Sequence, residues 1–359
     1  MAKVRKYNSA IEAELFGENL DPKVYDAMIE GVHNGLPALW RYLGLRKDIL
    51  KLDRLEYSDM YPSIIPGVEL KYTIPEGEKL ILEALKPLGK EYVATVKHGF
   101  ENRWTDFMPS DGKASGAYMD GAAVDVHPFV LTNFEGNFES VSTIAHEFGH
   151  AMHSSLTNAA QPYVYTDYST FTAEVASTVN EILLERYAID HAPNKETKLA
   201  LLGQQLESIR QTVFRQAMFA EFEKSIYDKV WSGEPLTDEV LNKTYSDLLK
   251  KYYGHEEGVT FIDDRYSVEW SYIQHFYYNF YVYNYTTSLT AGVTLAKKIL
   301  SGDKAATKAY LDMLKKGGSE YPLDLLKEAG VDMTTTKPYE AVVEQMNAIM
   351  DELERTRTL

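Results

Sequence analysis

Apolar positions recur near helical spacing along most of the chain and predict a mainly α-helical protein. Residues 19–52 read as a helix. Asp21-Pro22 is a start signal, Val24, Met28, Val32, Leu36 and Leu39 follow near helical spacing, and Pro37 is a place for a kink. Residues 61–77 hold three prolines and two glycines and predict a connection, with a helix following over 78–88. After a turn at Ser110-Asp111-Gly112-Lys113, residues 114–119 and 128–134 read as two short strands. Helical patterns return at 168–187, 195–230, 237–253 and 267–300. The stretch 252–258 breaks them, and its two glycines flanking charged residues suit either a mobile loop over a cleft or a plain surface loop. Residues 303–359 are helical apart from a turn at Gly317-Gly318. No repeat, low-complexity tract or long linker divides the chain, so a single catalytic domain over 1–359, with helical lobes around one cleft, is expected.

One helix carries chemistry. Around residues 142–154, Val141, Ile144, Ala145, Phe148, Ala151 and Met152 supply apolar faces, so the segment reads as buried. Within it stands His146-Glu147-Phe148-Gly149-His150. Positions i and i+4 lie nearly above one another on a helix, so His146 and His150 can present two imidazoles to a single ion. Glu147 projects beside them, within reach of a water on an open coordination position. Zinc hydrolysis needs this set: nitrogen ligands, a free position, and a carboxylate to take a proton from water. Gly149 costs about 1 kcal/mol relative to alanine inside a helix, which implies that something comes close to the backbone there.

A third ligand has to come from elsewhere. A metzincin would place glycine at 153 and histidine at 156, but this chain has His153 and Leu156. The acids of the 168–187 helix are Glu174, Glu181 and Glu185. Glu174 has small or apolar neighbours and is costly to bury unless it meets a cation. Glu181 and Glu185 read as acids that support a ligand or lie on the surface, and Ser177 and Thr178 as partners for a ligand imidazole.

A second stretch draws notice at 267–300. On a regular helix Tyr278, Tyr281 and Tyr285 would fall within an arc of roughly 60°, with His275 adjacent. One imidazole and three phenols along a strip can donate to an oxyanion, typically worth about 2.7–4 kcal/mol for one well-placed donor. Aromatic core packing is the plainer alternative.

These motifs resemble the M3 metallopeptidases, specifically the oligoendopeptidase F branch. The resemblance rests on His-Glu-Phe-Gly-His-Ala-Met-His from His146, Phe-Thr-Ala-Glu-Val-Ala-Ser-Thr from Phe171, Gly116-Ala117-Tyr118, and the aromatic run from His275 to Tyr283. It runs from about residue 7 to the end. It implies a multi-helix zincin-like (gluzincin) fold with a small sheet beside the His-Glu-x-x-His helix. It also implies one zinc ion on His146, His150 and Glu174, with Glu147 as acid/base. Gly116, Ala117 and Tyr118 would pair with extended substrate, and His275 with Tyr281 or Tyr278 would bind the oxyanion, Tyr285 lying on the substrate side of the same strip. Members of the family carry an additional amino-terminal region, and this chain starts near where the catalytic half would begin.

Composition narrows the partners. The formal net charge of −16 argues against nucleic acid or an anionic membrane. The absence of cysteine removes disulfides, thiol nucleophiles and zinc–thiolate sites. No apolar run approaches a membrane span and the amino end has no apolar signal core, so a cytoplasmic protein is expected. Short peptides are the expected substrates, and self-association is left open. Two other readings remain: a zinc metallocarboxypeptidase on a similar frame, and a non-catalytic peptide-binding fragment. His153 reads as a structural residue near the ligands, and His33, His98, His127 and His191 as surface or satisfied core residues.

Overall fold

In the computed structural model, residues 2–358 are described. The fold is mainly helical with one three-stranded sheet, as the apolar spacing predicts. The chain divides into two compact units. One gathers Met1–Pro66, Leu202–Thr290 and Met333–Leu359, and the other Gly67–Leu201 and Ala291–Asp332.

In the first unit the long helix Lys23–Leu50 runs through Pro37 and buries Val24, Met28, Val32, Leu36, Leu39 and Leu43. The predicted 195–230 helix, which enters this unit at Leu202, is observed as Lys195–Ile209, a π turn over Arg210–Arg215, and Gln216–Ser232. Asp238–Tyr252 follows, N-capped by Thr237. The 252–258 segment is pinned. Trp40 Nε1 donates to Tyr252 O (2.9 Å), Val259 N to Gly254 O (2.8 Å) and Ile262 N to His255 Nδ1 (3.0 Å). It is therefore a fastened turn rather than a lid.

The expected helix over 267–300 is the main departure. Asp264–Tyr272 and Gln274–Tyr277 are 3-10 turns, and the α-helix begins only at Tyr283. Phe280 is left-handed (φ 48°), a conformation that ends any right-handed helix. The aromatic run before it has low helix propensity.

In the second unit, Ile74–Ala84 begins four residues earlier than predicted, because Thr73 and Glu76 form a capping box. Helix Lys90–Glu101 buries only Tyr92, Val96 and Gly99, too narrow a stripe to stand out in the sequence, and Ala10–Leu15 in the first unit was equally unmarked. The sheet has strands β1 (Thr105–Asp106), β2 (Tyr118–Asp120) and β3 (Phe129–Leu131), in the order β1-β3-β2. β1 runs parallel to β3 and β2 antiparallel to it. Both strands are shorter than predicted, and Gly116 and Ala117 precede β2 rather than lying in it. Helix Phe138–Ala160 is N-capped by Asn137, whose Oδ1 accepts from Ser140 N (2.8 Å). It packs on β2, and Asn158 Nδ2 donates to Gly121 O (3.2 Å), just past that strand. Helix Thr170–Asp190, capped by Ser169, lies against the Phe138–Ala160 helix.

Arg46 offers a test of the first unit. It is fully buried and donates to Asp59 O (2.7 Å), Tyr42 Oη (3.2 Å) and Pro62 O. Removing it takes the donor from these acceptors and the guanidinium from Glu207, 3.5 Å away. Arg46→Met is expected to cost about 3 kcal/mol in urea unfolding; a cost well under 1 kcal/mol contradicts this.

Candidate metal centre

The Phe138–Ala160 helix places His146 and His150 one turn apart, and the Thr170–Asp190 helix brings Glu174 to them. His146 Nε2 and His150 Nε2 are 3.2 Å apart, and Glu174 Oε2 lies 3.3 Å from the first and 3.4 Å from the second. Three donor atoms thus form a nearly equilateral triangle. A tetrahedral ion bonded at about 2.0–2.1 Å separates its ligand atoms by about 3.3–3.4 Å, so the donor set fits a small divalent cation. The chemistry fits too, since two imidazoles and one carboxylate are the nitrogen–oxygen set that zinc accepts.

Gly149 sets the approach. A Cβ at this position would lie 2.4 Å from Ser177 Cα and 2.7 Å from Ala176 O. No side chain fits, so the two backbones meet here, and Glu174, one turn before Ser177, reaches the histidines. Asn180 ties the same helices, donating to Ala145 O (3.1 Å) and accepting from Tyr92 Oη (2.9 Å).

Further groups hold the donors. Glu181 Oε2 lies 3.1 Å from His146 Nδ1. If that nitrogen carries the proton, Nε2 keeps its lone pair aimed at the triangle. Ser177 Oγ lies 3.0 Å from Glu174 Oε2, so it supports the carboxylate and not an imidazole as expected. Thr178 instead packs on Gly292. Burial pushes the His146 imidazolium down, but the Glu181 and Glu174 carboxylates more than offset this and hold it up. Burial likewise opposes ionisation of Glu174, and hydrogen bonds from His146 and His150 reverse the effect and bring it well below the usual carboxylate range. Glu147 is almost fully buried. Desolvation raises its pKa, against the pull of the two histidines. His153 is buried, stacks on Tyr168 with centroids 3.7 Å apart and is driven down to about 3 by burial, a neutral structural ring. The sequence does not single out Asn180, whose role shows only in its hydrogen-bond partners.

The remaining candidates divide. Tyr118 begins β2, an edge strand, and is half exposed. Gly116 stands at φ 82°, and its carbonyl accepts from Asn133 Nδ2 (2.8 Å). Backbone conformation therefore requires this glycine without any ligand. Gly116 and Ala117 line a cleft of about 290 Å³ with Asn133 and Glu139. In the first unit His275, Tyr278, Tyr281 and Tyr285 do gather, though not by helical spacing. The His275 and Tyr281 rings stack at 6.1 Å, and Tyr285 Oη lies 3.3 Å from His275 Nε2. Tyr278 lies 6.3 Å from His275 and 6.1 Å from Tyr281, ring centre to ring centre. A turn produces this cluster where a continuous helix was expected.

The family model described as peptidase family M3 matches residues 1–345. The chain belongs to peptidase family M3. Among M3 relatives it is 45% identical to Oligopeptidase PepF of Bacillus subtilis (strain 168), over 98% of this chain and 52% of that protein. It is 41% identical to the chromosomal Oligoendopeptidase F of Lactococcus lactis subsp. cremoris, over 99% and 58%. The crystal structure of oligoendopeptidase-F from Enterococcus faecium superposes with a TM-score of 0.77 at 33% identity, covering 99% of this chain and 57% of that one. A candidate peptidase of Chlamydophila abortus gives 0.92 at 38%, covering 99% and 59%. The chain thus spans about half the length of the curated M3 relatives it matches. No helix among the described residues is long and apolar enough to cross a membrane.

Two substitutions probe the donor triangle. Glu181→Gln is expected to weaken metal affinity about 10- to 100-fold in a competition titration. Gly149→Ala should lower stability by about 1–3 kcal/mol and weaken metal binding with it. Wild-type metal affinity in both variants contradicts the arrangement described.

Proposed function

We propose that this chain carries the metal-dependent centre of an oligopeptide endopeptidase, hydrolysing internal bonds of short peptides. The observation that carries the reading is the triangle of His146, His150 and Glu174 with Glu147 beside it on the same helix. The names of the relatives, Oligopeptidase PepF and Oligoendopeptidase F, supply the substrate class. When bound, a divalent metal, zinc by this donor set, would polarise the scissile carbonyl and make water acidic.

The chain's own residues would do the rest. Glu147 takes a proton from the attacking water and passes one to the leaving amine. Its raised proton affinity suits both halves of that exchange. Glu181 keeps His146 in one orientation, and Ser177 does the same for Glu174. The edge strand at Tyr118, with Gly116 and Ala117 before it, would align extended peptide by main-chain hydrogen bonds. His275 and Tyr281, or Tyr278 in its place, would donate to the oxyanion, with Tyr285 on the substrate side.

Glu147 also separates this reading from a binding module, since binding alone requires no general base. A carboxypeptidase would need an unsatisfied basic group for the free carboxylate. Arg46, Arg210 and Arg215 line a cavity of about 480 Å³, but Glu207 and Glu269 already accept from them.

The test is a quenched peptide assay of the purified chain with zinc or a chelator. Glu147→Gln should retain metal and lose about 10²–10⁴-fold in kcat, and the products should come from internal cleavage. Activity that survives both the chelator and Glu147→Gln contradicts the reading. Tyr281→Phe and His275→Gln should each lower kcat, by about 10²-fold for a direct oxyanion donor; wild-type kcat in both removes the oxyanion role.

A further inference from the structure

Glu223 lies on the Gln216–Ser232 helix and is completely buried. Its Oε1 accepts the backbone N–H of Phe280 at 2.7 Å, and its Oε2 has no hydrogen-bond partner. No ion pair reaches it among the described residues. Burial pushes this carboxyl up to about 8, against the pull of the Phe280 N–H, and Glu14 adds to the rise. An apolar residue of similar volume would fill the same space without desolvating an acid. What it would lack is an acceptor for Phe280.

Phe280 is where that acceptor matters. Its φ of 48° is one that an L side chain rarely adopts. Its ring is buried against Tyr227 at 4.5 Å and Tyr25 at 6.0 Å, and the neighbouring Asn279 side chain donates to Glu14. The turn is closed by Tyr281 N donating to Tyr278 O (3.0 Å). Directions of the Tyr278 and Tyr281 side chains, on either side of Phe280, thus follow from a backbone that left to itself would relax. Tyr281 is the ring stacked on His275.

We propose that Glu223 is a positioning residue: by accepting the Phe280 N–H it holds a left-handed turn that presents Tyr278 and Tyr281 beside His275 for oxyanion binding. This rests on the oxyanion reading given above and adds to it the group that keeps the donors in place. Small misplacement of such donors is expensive in rate. A carboxyl that only stabilised the fold would change melting behaviour and leave kcat intact at temperatures well below the transition.

The experiment compares Glu223→Leu, Glu223→Asp and Glu223→Gln in the full chain with Tyr281→Phe and His275→Gln. Leucine removes the acceptor, aspartate withdraws it by one methylene, and glutamine keeps it. The leucine and aspartate variants should lose about 10- to 100-fold in kcat, with KM moving by less than about threefold, while the glutamine variant retains most of its activity. Adding Tyr281→Phe to Glu223→Leu should cost less than the two losses multiplied. Amide exchange read by mass spectrometry should speed up in the peptide covering 276–283 and stay unchanged across 138–160. If leucine does not fold, aspartate carries the same comparison. Wild-type kcat and exchange in the folded variants, with Tyr281→Phe and His275→Gln impaired, overturn the positioning role and leave the oxyanion reading standing. Wild-type kcat in Tyr281→Phe and His275→Gln overturns both.

Discussion

The candidate site depends on one close contact, the meeting of two helix backbones at Gly149 and Ser177. A Cβ at residue 149 would fall 2.4 Å from Ser177 Cα, closer than any side chain permits. Helices normally keep 8–10 Å between axes because side chains intervene. Here the missing side chain lets Glu174 reach across to two imidazoles that stand one turn apart. The histidine pair is a local consequence of helical period, but the third donor is tertiary, and the glycine is what admits it.

Electrostatics then follows from that proximity. Two carboxylates, Glu174 and Glu181, face His146 from opposite ring nitrogens. A partly buried acid among small and apolar neighbours would ordinarily favour its neutral form. The imidazoles reverse this for Glu174, and a divalent ion in the same place would do so more strongly. Glu147, which no cation contacts as closely, keeps the raised proton affinity that burial dictates. Acids on two neighbouring helices, Glu147 and Glu174, are thus driven in opposite directions, which separates a ligand role from a proton-carrying one.

Much of this was legible in the sequence, and the reasons differ from residue to residue. His146 and His150 were readable because i, i+4 is local geometry. Gly149 was readable as an anomaly, a costly residue without a local cause, although its partner Ser177 was not. Glu174 could be picked from three acids by its apolar neighbours, whereas the sequence left Glu181 and Glu185 alike, as supporting or surface acids. Asn180 went unnoticed because a buried amide has no signature until its partners are known. The sheet was legible, but its strands are shorter than predicted and β1 was unmarked, since strands of two or three residues carry almost no alternation. The aromatic strip was grouped correctly for the wrong reason. A regular helix would have aligned Tyr278, Tyr281 and Tyr285, whereas the chain gathers them through a left-handed turn at Phe280 held by Glu223, fifty-seven residues earlier.

The central claim is that this helix contact builds a single three-donor metal centre. X-ray absorption at the zinc edge on the purified chain loaded with one equivalent tests it most directly. The account predicts two imidazole nitrogens and carboxylate oxygen at about 2.0–2.1 Å, with the imidazole signal lost when His146 and His150 are replaced together. An imidazole-free spectrum from the wild-type chain, or one unchanged by that double replacement, would contradict it.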